Sequence, residues 1–135
     1  MSVHKGSSFL LKIYLDDEQK YKTLGGLYTT KFYLKNSFTI SEKIGNTNWL
    51  ELANTGSSSL SISATGIYTS CDSEHKIRQY AFSRKIHKYQ LVFGNGEIIK
   101  GSFIISDYQR EGNVKENENY SLSFLSTGDI EFLKS

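Results

Sequence analysis

Apolar and polar residues alternate with a period of two along much of this chain, which is the pattern of half-buried β-strands. In residues 9–15, Phe9, Leu11, Ile13 and Leu15 fall on one face and Lys12 and Tyr14 on the other. Residues 16–20 read as a polar turn, and residues 21–27 as a second strand interrupted at Gly25 and Gly26 by a bulge or sharp bend. Residues 28–35 alternate again, with Tyr28, Thr30, Phe32 and Leu34 on one side and Thr29, Lys31, Tyr33 and Lys35 on the other. Asn36 and Ser37 form a short turn, and residues 38–43 extend the chain once more.

A long loop is predicted over residues 44–58. Structureless connections beyond roughly 12–15 residues are uncommon in compact domains and are usually functional or disordered. This one is polar and turn-rich, yet it carries the only tryptophan, Trp49, with Leu50, Glu51 and Leu52 directly after it. These side chains either tuck into the parent core or dock on another chain. The strand that follows sets Leu60, Ile62 and Ala64 on one face and Ser59, Ser61, Ser63 and Thr65 on the other, a hydroxyl row without charge. From an N-cap at Asp72 and Ser73 to about Lys85 the period changes to that of a helix, with Ile77, Tyr80, Ala81 and Arg84 sharing a face.

Beyond the helix, residues 89–93 and 97–105 read as a hairpin around Asn95-Gly96, the strongest short-range turn signal for that motif. Residues 108–118 are hydrophilic and read as a loop. Residues 120–125 form a strand, 127–129 a turn and 130–133 a short last strand. The sum is a mainly β protein, an antiparallel β-sandwich or barrel with one α-helix, in a single domain over residues 1–135.

Composition narrows the function classes. With 38% hydrophobic and 13% aromatic residues the chain has enough apolar material for a core. The formal net charge of +2 is small for a protein that grips a phosphate backbone, since each neutralised phosphate takes a Lys or Arg. Charge is segregated instead: residues 71–93 hold five Lys/Arg against two acids, and residues 94–135 hold four against seven. Such asymmetry suits self-assembly of an acidic face on a basic one, or simply two solvated faces. The one cysteine, Cys71, excludes an intrachain disulfide and is read as structural, at a strand end. The first residues lack the apolar run of a signal peptide, and no stretch approaches the roughly 20 apolar residues of a membrane span. Synthesis in a cytoplasm and no membrane partner are expected.

Candidate chemistry is sparse. His4, His75 and His87 are expected to be solvated, and no metal-ligand spacing joins them. Cys71 and His75 lack an oriented third group and an oxyanion signature, so no nucleophilic site is assigned. Gly25-Gly26 and Gly94-Asn95-Gly96 lack the lysine and following helix of a phosphate-binding loop. Neither catalytic activity nor a cofactor or metal is expected. Lys76, Arg78, Arg84, Lys85 and Lys88, near Tyr80 and Tyr89, are a candidate nucleic-acid patch; facing an acidic neighbour or solvent suits them better. A stand-alone β-sandwich module that grips carbohydrate or another ligand with its tyrosines stays open as an alternative.

Four segments, in order, resemble the major tail (tail tube) proteins of long, non-contractile phage tails and their relatives in gene transfer agents. They are the opening strand of residues 6–15; Leu24-Gly-Gly-Leu-Tyr-Thr-Thr30; Trp49-Leu-Glu-Leu-Ala-Asn-Thr-Gly56 with Ser59-Leu-Ser-Ile-Ser-Ala-Thr-Gly-Ile-Tyr-Thr-Ser70; and Gly101-Ser-Phe-Ile-Ile-Ser106 with Tyr120-Ser-Leu-Ser-Phe-Leu-Ser-Thr-Gly128. The family's Ser-Gly-Ser-Gly is Ser63-Ala64-Thr65-Gly66 here, its arginine after tryptophan is Leu50, and its late turn is replaced by residues 111–117.

The resemblance implies a structural protein of a virion or phage-like tail. Copies would form hexameric rings that stack into a hollow tube, meet tape-measure and other tail proteins, and let DNA pass without specific binding. Under that implication Trp49, Leu50, Glu51 and Leu52 are the expected subunit or ring contact. Ser59, Ser61, Ser63 and Thr65 are candidates for the luminal wall, a solvent-facing sheet surface being the alternative.

Overall fold

The computed structural model describes residues 9–40, 51–53, 55–114 and 116–134. Among the described residues nine strands and one helix follow in the order β1 (Leu10–Leu15), β2 (Lys20–Thr23), β3 (Leu27–Asn36), β4 (Thr39–Ile40), β5 (Leu52–Ala53), β6 (Ser58–Ile67), α1 (Asp72–Ser83), β7 (His87–Val92), β8 (Ile98–Asn113) and β9 (Glu116–Leu133). Seven strands make one antiparallel sheet in the order β2-β1-β7-β8-β9-β6-β3, and β4 pairs with β5 apart from it. The sheet curls into a half-barrel. Its curl is visible in three rings: Phe93 meets Phe9, just before β1, at 4.8 Å and Phe32, on the edge strand β3, at 5.4 Å.

The concave face holds the core. Leu11 and Ile13 of β1, Tyr89 and Leu91 of β7, Phe103 of β8, Leu122 and Phe124 of β9 and Ile62 of β6 are buried there, with Ile77 and Tyr80 of α1 laid across them. The period-two alternation puts these side chains on one side, and the 3.6 period of the helix brings Ile77 and Tyr80 down onto them.

Several expectations are corrected. Residues 108–118 are not a loop: β8 and β9 continue through them as a ribbon, paired from Asp107↔Ser123 to Asn113↔Glu116. Most β8 side chains in this stretch face solvent, so apolar alternation is weak; the backbone ladder with β9 orders it, helped by Tyr108 against the core and Arg110 paired with Glu118. Residues 120–133 are one strand, and the turn expected at 127–129 is absorbed as a bulge: Gly101 faces Ile130 and Phe103 faces Ser126, so three residues of β9 bow out, with Gly128 at φ +83°. The second strand stops at Thr23 rather than running to residue 27; Leu24 is buried, and Gly25 and Gly26 turn the chain across to β3.

The predicted loop of residues 44–58 contains β5 and the start of β6. The β3–β6 ladder runs on into it, with the Ser37 N–H donating to the Ser57 carbonyl at 2.7 Å and the Thr39 N–H to the Thr55 carbonyl at 3.1 Å. The helix begins one residue earlier in role than expected: Cys71, not Asp72 or Ser73, is the N-cap. Ile77, Tyr80 and Ala81 do face the core, but Arg84 leaves it, capping the helix in a left-handed conformation at φ +57°.

Candidate assembly surfaces

On the convex side of β6, Ser59, Ser61, Ser63 and Thr65 alternate with the buried residues, each partly covered by the strands beside it. The register widens this row. Ser123 of β9 stands opposite Ser63, and Ser121 opposite Thr65, whose hydroxyl lies 3.4 Å from that of Ser121. On the other flank β3 sets Lys35, Tyr33, Lys31 and Thr29 opposite Ser59, Ser61, Ser63 and Thr65 in turn. A hydroxyl strip two strands wide therefore lies between a lysine-bearing edge and β8. Sequence reasoning missed Ser121 and Ser123 as part of it. Their alternation was visible, but only the register joins two serine rows that lie 56–60 positions apart.

Of the loop residues singled out, Trp49 and Leu50 lie outside the described residues, Glu51 is exposed, and Leu52 begins β5 opposite Ile40. Phe38, Ile40 and Leu52 are all more than half exposed. The described parts of this ribbon, residues 36–40, 52–53 and 55–58, thus stand apart from the main sheet with three bare apolar side chains, and Thr39 and Thr55 tie its strands through a 2.9 Å hydroxyl bond. At its base, Phe32, Leu34, Leu60, Ile99, Ile130 and Phe132 line an open groove of about 500 Å³.

The opposite end of the sheet is closed by polar contacts. Glu74, nearly fully buried, accepts hydrogen bonds from the Thr69 and Cys71 N–H groups and the Thr69 hydroxyl, all at 3.0–3.1 Å. This is the carboxylate half of a capping box. Burial acts to raise the Glu74 pKa, but the hydrogen bonds from Cys71 and Thr69 outweigh it and hold the carboxyl below its ordinary range. The Tyr120 hydroxyl donates to the Gly25 carbonyl at 3.1 Å, and burial, with Glu74 near, pushes that phenol well above its usual range. Gly66 packs so closely on the turn that a β-carbon there would sit 2.5 Å from the Gly26 oxygen.

His87 corrects the expectation of a solvated side chain: it is buried, its Nε2–H donating to the Tyr14 carbonyl at 2.6 Å, with the Tyr80 ring 4.6 Å away. His75 is exposed, and His4 lies outside the described residues. The basic residues around α1 do not share one surface task. Lys85 sits over the Tyr80 ring at 4.6 Å and pairs with Asp16 at 3.9 Å, and Lys88 sits over Tyr14 at 5.6 Å. Among the described residues no three His, Cys, Asp or Glu side chains gather as metal ligands, and no helix is long and apolar enough to cross a membrane.

The arrangement offers open strand edges, an apolar ribbon and a neutral strip rather than converging acids, bases and nucleophiles. Comparison with known proteins agrees in kind. The model of the phage tail tube protein family matches residues 3–132. The tail of an empty gene transfer agent particle, refined with helical C6 symmetry, superposes at a TM-score of 0.89 and 25% identity, covering 97% of this chain and 99% of that one. The virion of a native gene transfer agent particle gives 0.85 at 25% identity over the same shares. The SPP1 tail tube shares the fold, at a TM-score of 0.76 and 15% identity over 98% of this chain and 80% of that one. Among curated proteins none matches the chain.

Proposed function

This chain belongs to the phage tail tube protein family, and from that premise we propose that its 135 residues act as one building block of a hollow tube. Six copies close into a ring, as in the C6 tail of the gene transfer agent particle, and rings stack into a conduit through which DNA passes. The observation that carries this reading is the full-length match to an assembled tail at a TM-score of 0.89. A strand at the end of a sheet presents unpaired N–H and C=O groups that template pairing with another chain, and closure into a barrel removes that edge. β3 is such a strand, hydrogen-bonded to β6 on one side only.

In the assembly, the segment carrying Trp49, Leu50, Glu51 and Leu52 contacts a neighbouring subunit or ring; the bare Phe38, Ile40 and Leu52 support that role. Ser59, Ser61, Ser63 and Thr65, joined by Ser121 and Ser123, line or border the lumen. A hydroxyl wall suits DNA passage because it offers phosphates no fixed cations. The protein is made in a bacterial cytoplasm, and its tube meets tape-measure and other tail proteins.

Negative-stain electron microscopy of purified protein across a concentration series tests the reading. Rings or hollow tubes are expected. Uniform monomers at every concentration, with and without tail extract as initiator, would instead favour a stand-alone binding module, and glycan screens would follow. Within formed tubes, Ser61→Lys with Ser63→Lys is expected to impair DNA delivery while leaving assembly intact.

A further inference from the structure

Resting on the tube reading above, the register of the sheet names the strand that receives β3 of the next copy. We propose that β3 of one subunit pairs antiparallel with residues 107–113 of β8 in its neighbour, with Lys31 opposite Glu111 of the partner subunit and Lys35 opposite Asp107 of the partner subunit.

Edges come first. β3 has one strand neighbour. β8 has two only over its first half, because its ladder with β7 ends at His87↔Phe103, while its ladder with β9 continues to Asn113. From Ile104 onward β8 therefore carries no strand partner on its β7 side among the described residues. The terminal strand at the sheet's other end, β2, is a poorer acceptor. It is four residues long and contains Lys20 and Lys22, the short length and charge that blunt an edge against pairing. They would also add cations beside Lys31 and Lys35.

Direction and face follow from the ladders. β8 to β9, β9 to β6 and β6 to β3 are three antiparallel steps, so β3 runs opposite to β8. Rotation about the axis of a closed ring keeps every copy's strands in the same sense, so β3 meets the neighbouring β8 antiparallel. Directly opposed residues share a face. Lys31, Tyr33 and Lys35 oppose Ser63, Ser61 and Ser59, and so lie on the hydroxyl face. Asp107, Gln109 and Glu111 oppose Ser123, Ser121 and Asn119, which in turn oppose Ser63, Thr65 and Ile67, and so lie on that face as well.

The spacing then fits in one register. Two lysines separated by four positions meet two acids separated by four positions, with Tyr33 against Gln109 between them. All four charged side chains are exposed, and none is ion-paired among the described residues. On the other face the same register sets Leu34, 54% exposed, against Tyr108 and Phe32, 40% exposed, against Arg110. A slip by one residue puts the lysines on the opposite face from the acids, and a slip by two takes both lysines off their acids. Opposite charges across a strand pair stabilise it and like charges destabilise it, so this pairing specifies register. It also neutralises the lysines that border the hydroxyl strip among the described residues, which would otherwise hold DNA phosphates.

Charge exchange tests the register. Lys31→Glu with Lys35→Glu, and separately Asp107→Lys with Glu111→Lys, are each expected to abolish tubes under conditions where the wild type forms them. Circular dichroism should show both variants folded, since every altered side chain is exposed. The fourfold exchange is expected to restore tubes. In a Cys71→Ser background, one chain with Lys35→Cys and another with Asp107→Cys should form a disulfide between chains in the assembled state. If the wild type forms no rings or tubes, the tube reading itself fails. If it does, but both reversals polymerise like the wild type, or the mixed cysteine chains give no disulfide in formed tubes, the register is overturned and the tube reading stands.

Discussion

β3 and β6 are ten residues each, run side by side through nine registered pairs, and show the same period-two alternation. Their fates differ. β6 lies between β3 and β9, and its Leu60, Ile62, Ala64 and Gly66 are buried. Among the described residues β3 has no outer neighbour, none of its side chains is buried, and most are exposed. Phe32 and Ile62 are directly opposed, yet one is 40% exposed and the other 0%. The lesson is that alternation reports which face a side chain takes, not whether anything covers it. Under the proposed assembly, the cover that β3 lacks comes from a neighbouring copy.

The sharpest test of that contrast is to truncate the opposed pair. Ile62→Ala should destabilise the monomer by roughly 2–5 kcal/mol, the range for emptying a fully buried aliphatic site, measured by urea unfolding. Phe32→Ala is expected to have the smallest monomer effect here, well below that range, because much of the ring is already in water; its cost should appear in tube formation. Equal losses in the monomer would break the comparison.

The close approach at the enclosed end gives a smaller effect of the same order as the buried carboxylate below. Gly66→Ala places a β-carbon 2.5 Å from the Gly26 oxygen and 2.8 Å from the Leu27 Cα, both backbone atoms that cannot swing aside. Overpacking of this kind costs about 1–3 kcal/mol, read as a lowered Tm. An unchanged Tm would mean the turn at Gly25 and Gly26 is free to move.

Glu74→Gln should cost roughly 1.5–3 kcal/mol near neutral pH, since hydrogen bonds to a charged acceptor are replaced by weaker ones and one donor N–H group is left poorly matched. The sign of its pH dependence follows from a folded-state pKa lowered by the Cys71 and Thr69 hydrogen bonds. The carboxylate's contribution is fully present above its unfolded value of about 4.3 and is lost as pH falls through the folded value. The stability gap between wild type and Glu74→Gln should therefore hold from pH 7 to about 5 and narrow below that. A gap that widens on acidification would contradict the assignment.

Legibility in the sequence followed the source of each element's order. Strands that bury one face, such as β1, β6 and β7, announced themselves by alternation. The hairpin at Asn95-Gly96 announced itself by turn chemistry, its Gly96 N–H donating to the Phe93 carbonyl at 3.0 Å. The β8–β9 pairing from Asp107 to Asn113 did not, because its order comes mainly from cross-strand backbone bonds and from contacts such as Arg110 with Glu118, which carry no periodic signal. His87 was misjudged for a similar reason. Its burial depends on Tyr14, Tyr80 and Tyr89 arriving from three other places in the chain or the next turn of strand. The turn expected at Thr127, Gly128 and Asp129 is a bulge instead: irregular backbone between two strand stretches can reverse or bulge, and the register with β8 selects the bulge.

By itself the sequence determined the mainly β class, the single helix, the inward face of each alternating strand, the hydroxyl row on β6 and the family. These are local properties: side-chain periodicity, turn preference and the order of short motifs are all written in neighbouring residues. Only the tertiary structure decided which strands adjoin, that Ser121 and Ser123 widen the row, that the β3–β6 ladder runs on into a bare ribbon, and that Lys31 and Lys35 share a face and a spacing with Asp107 and Glu111. Those are properties of register, set by long-range hydrogen bonding between strands whose side chains carry no record of their partners.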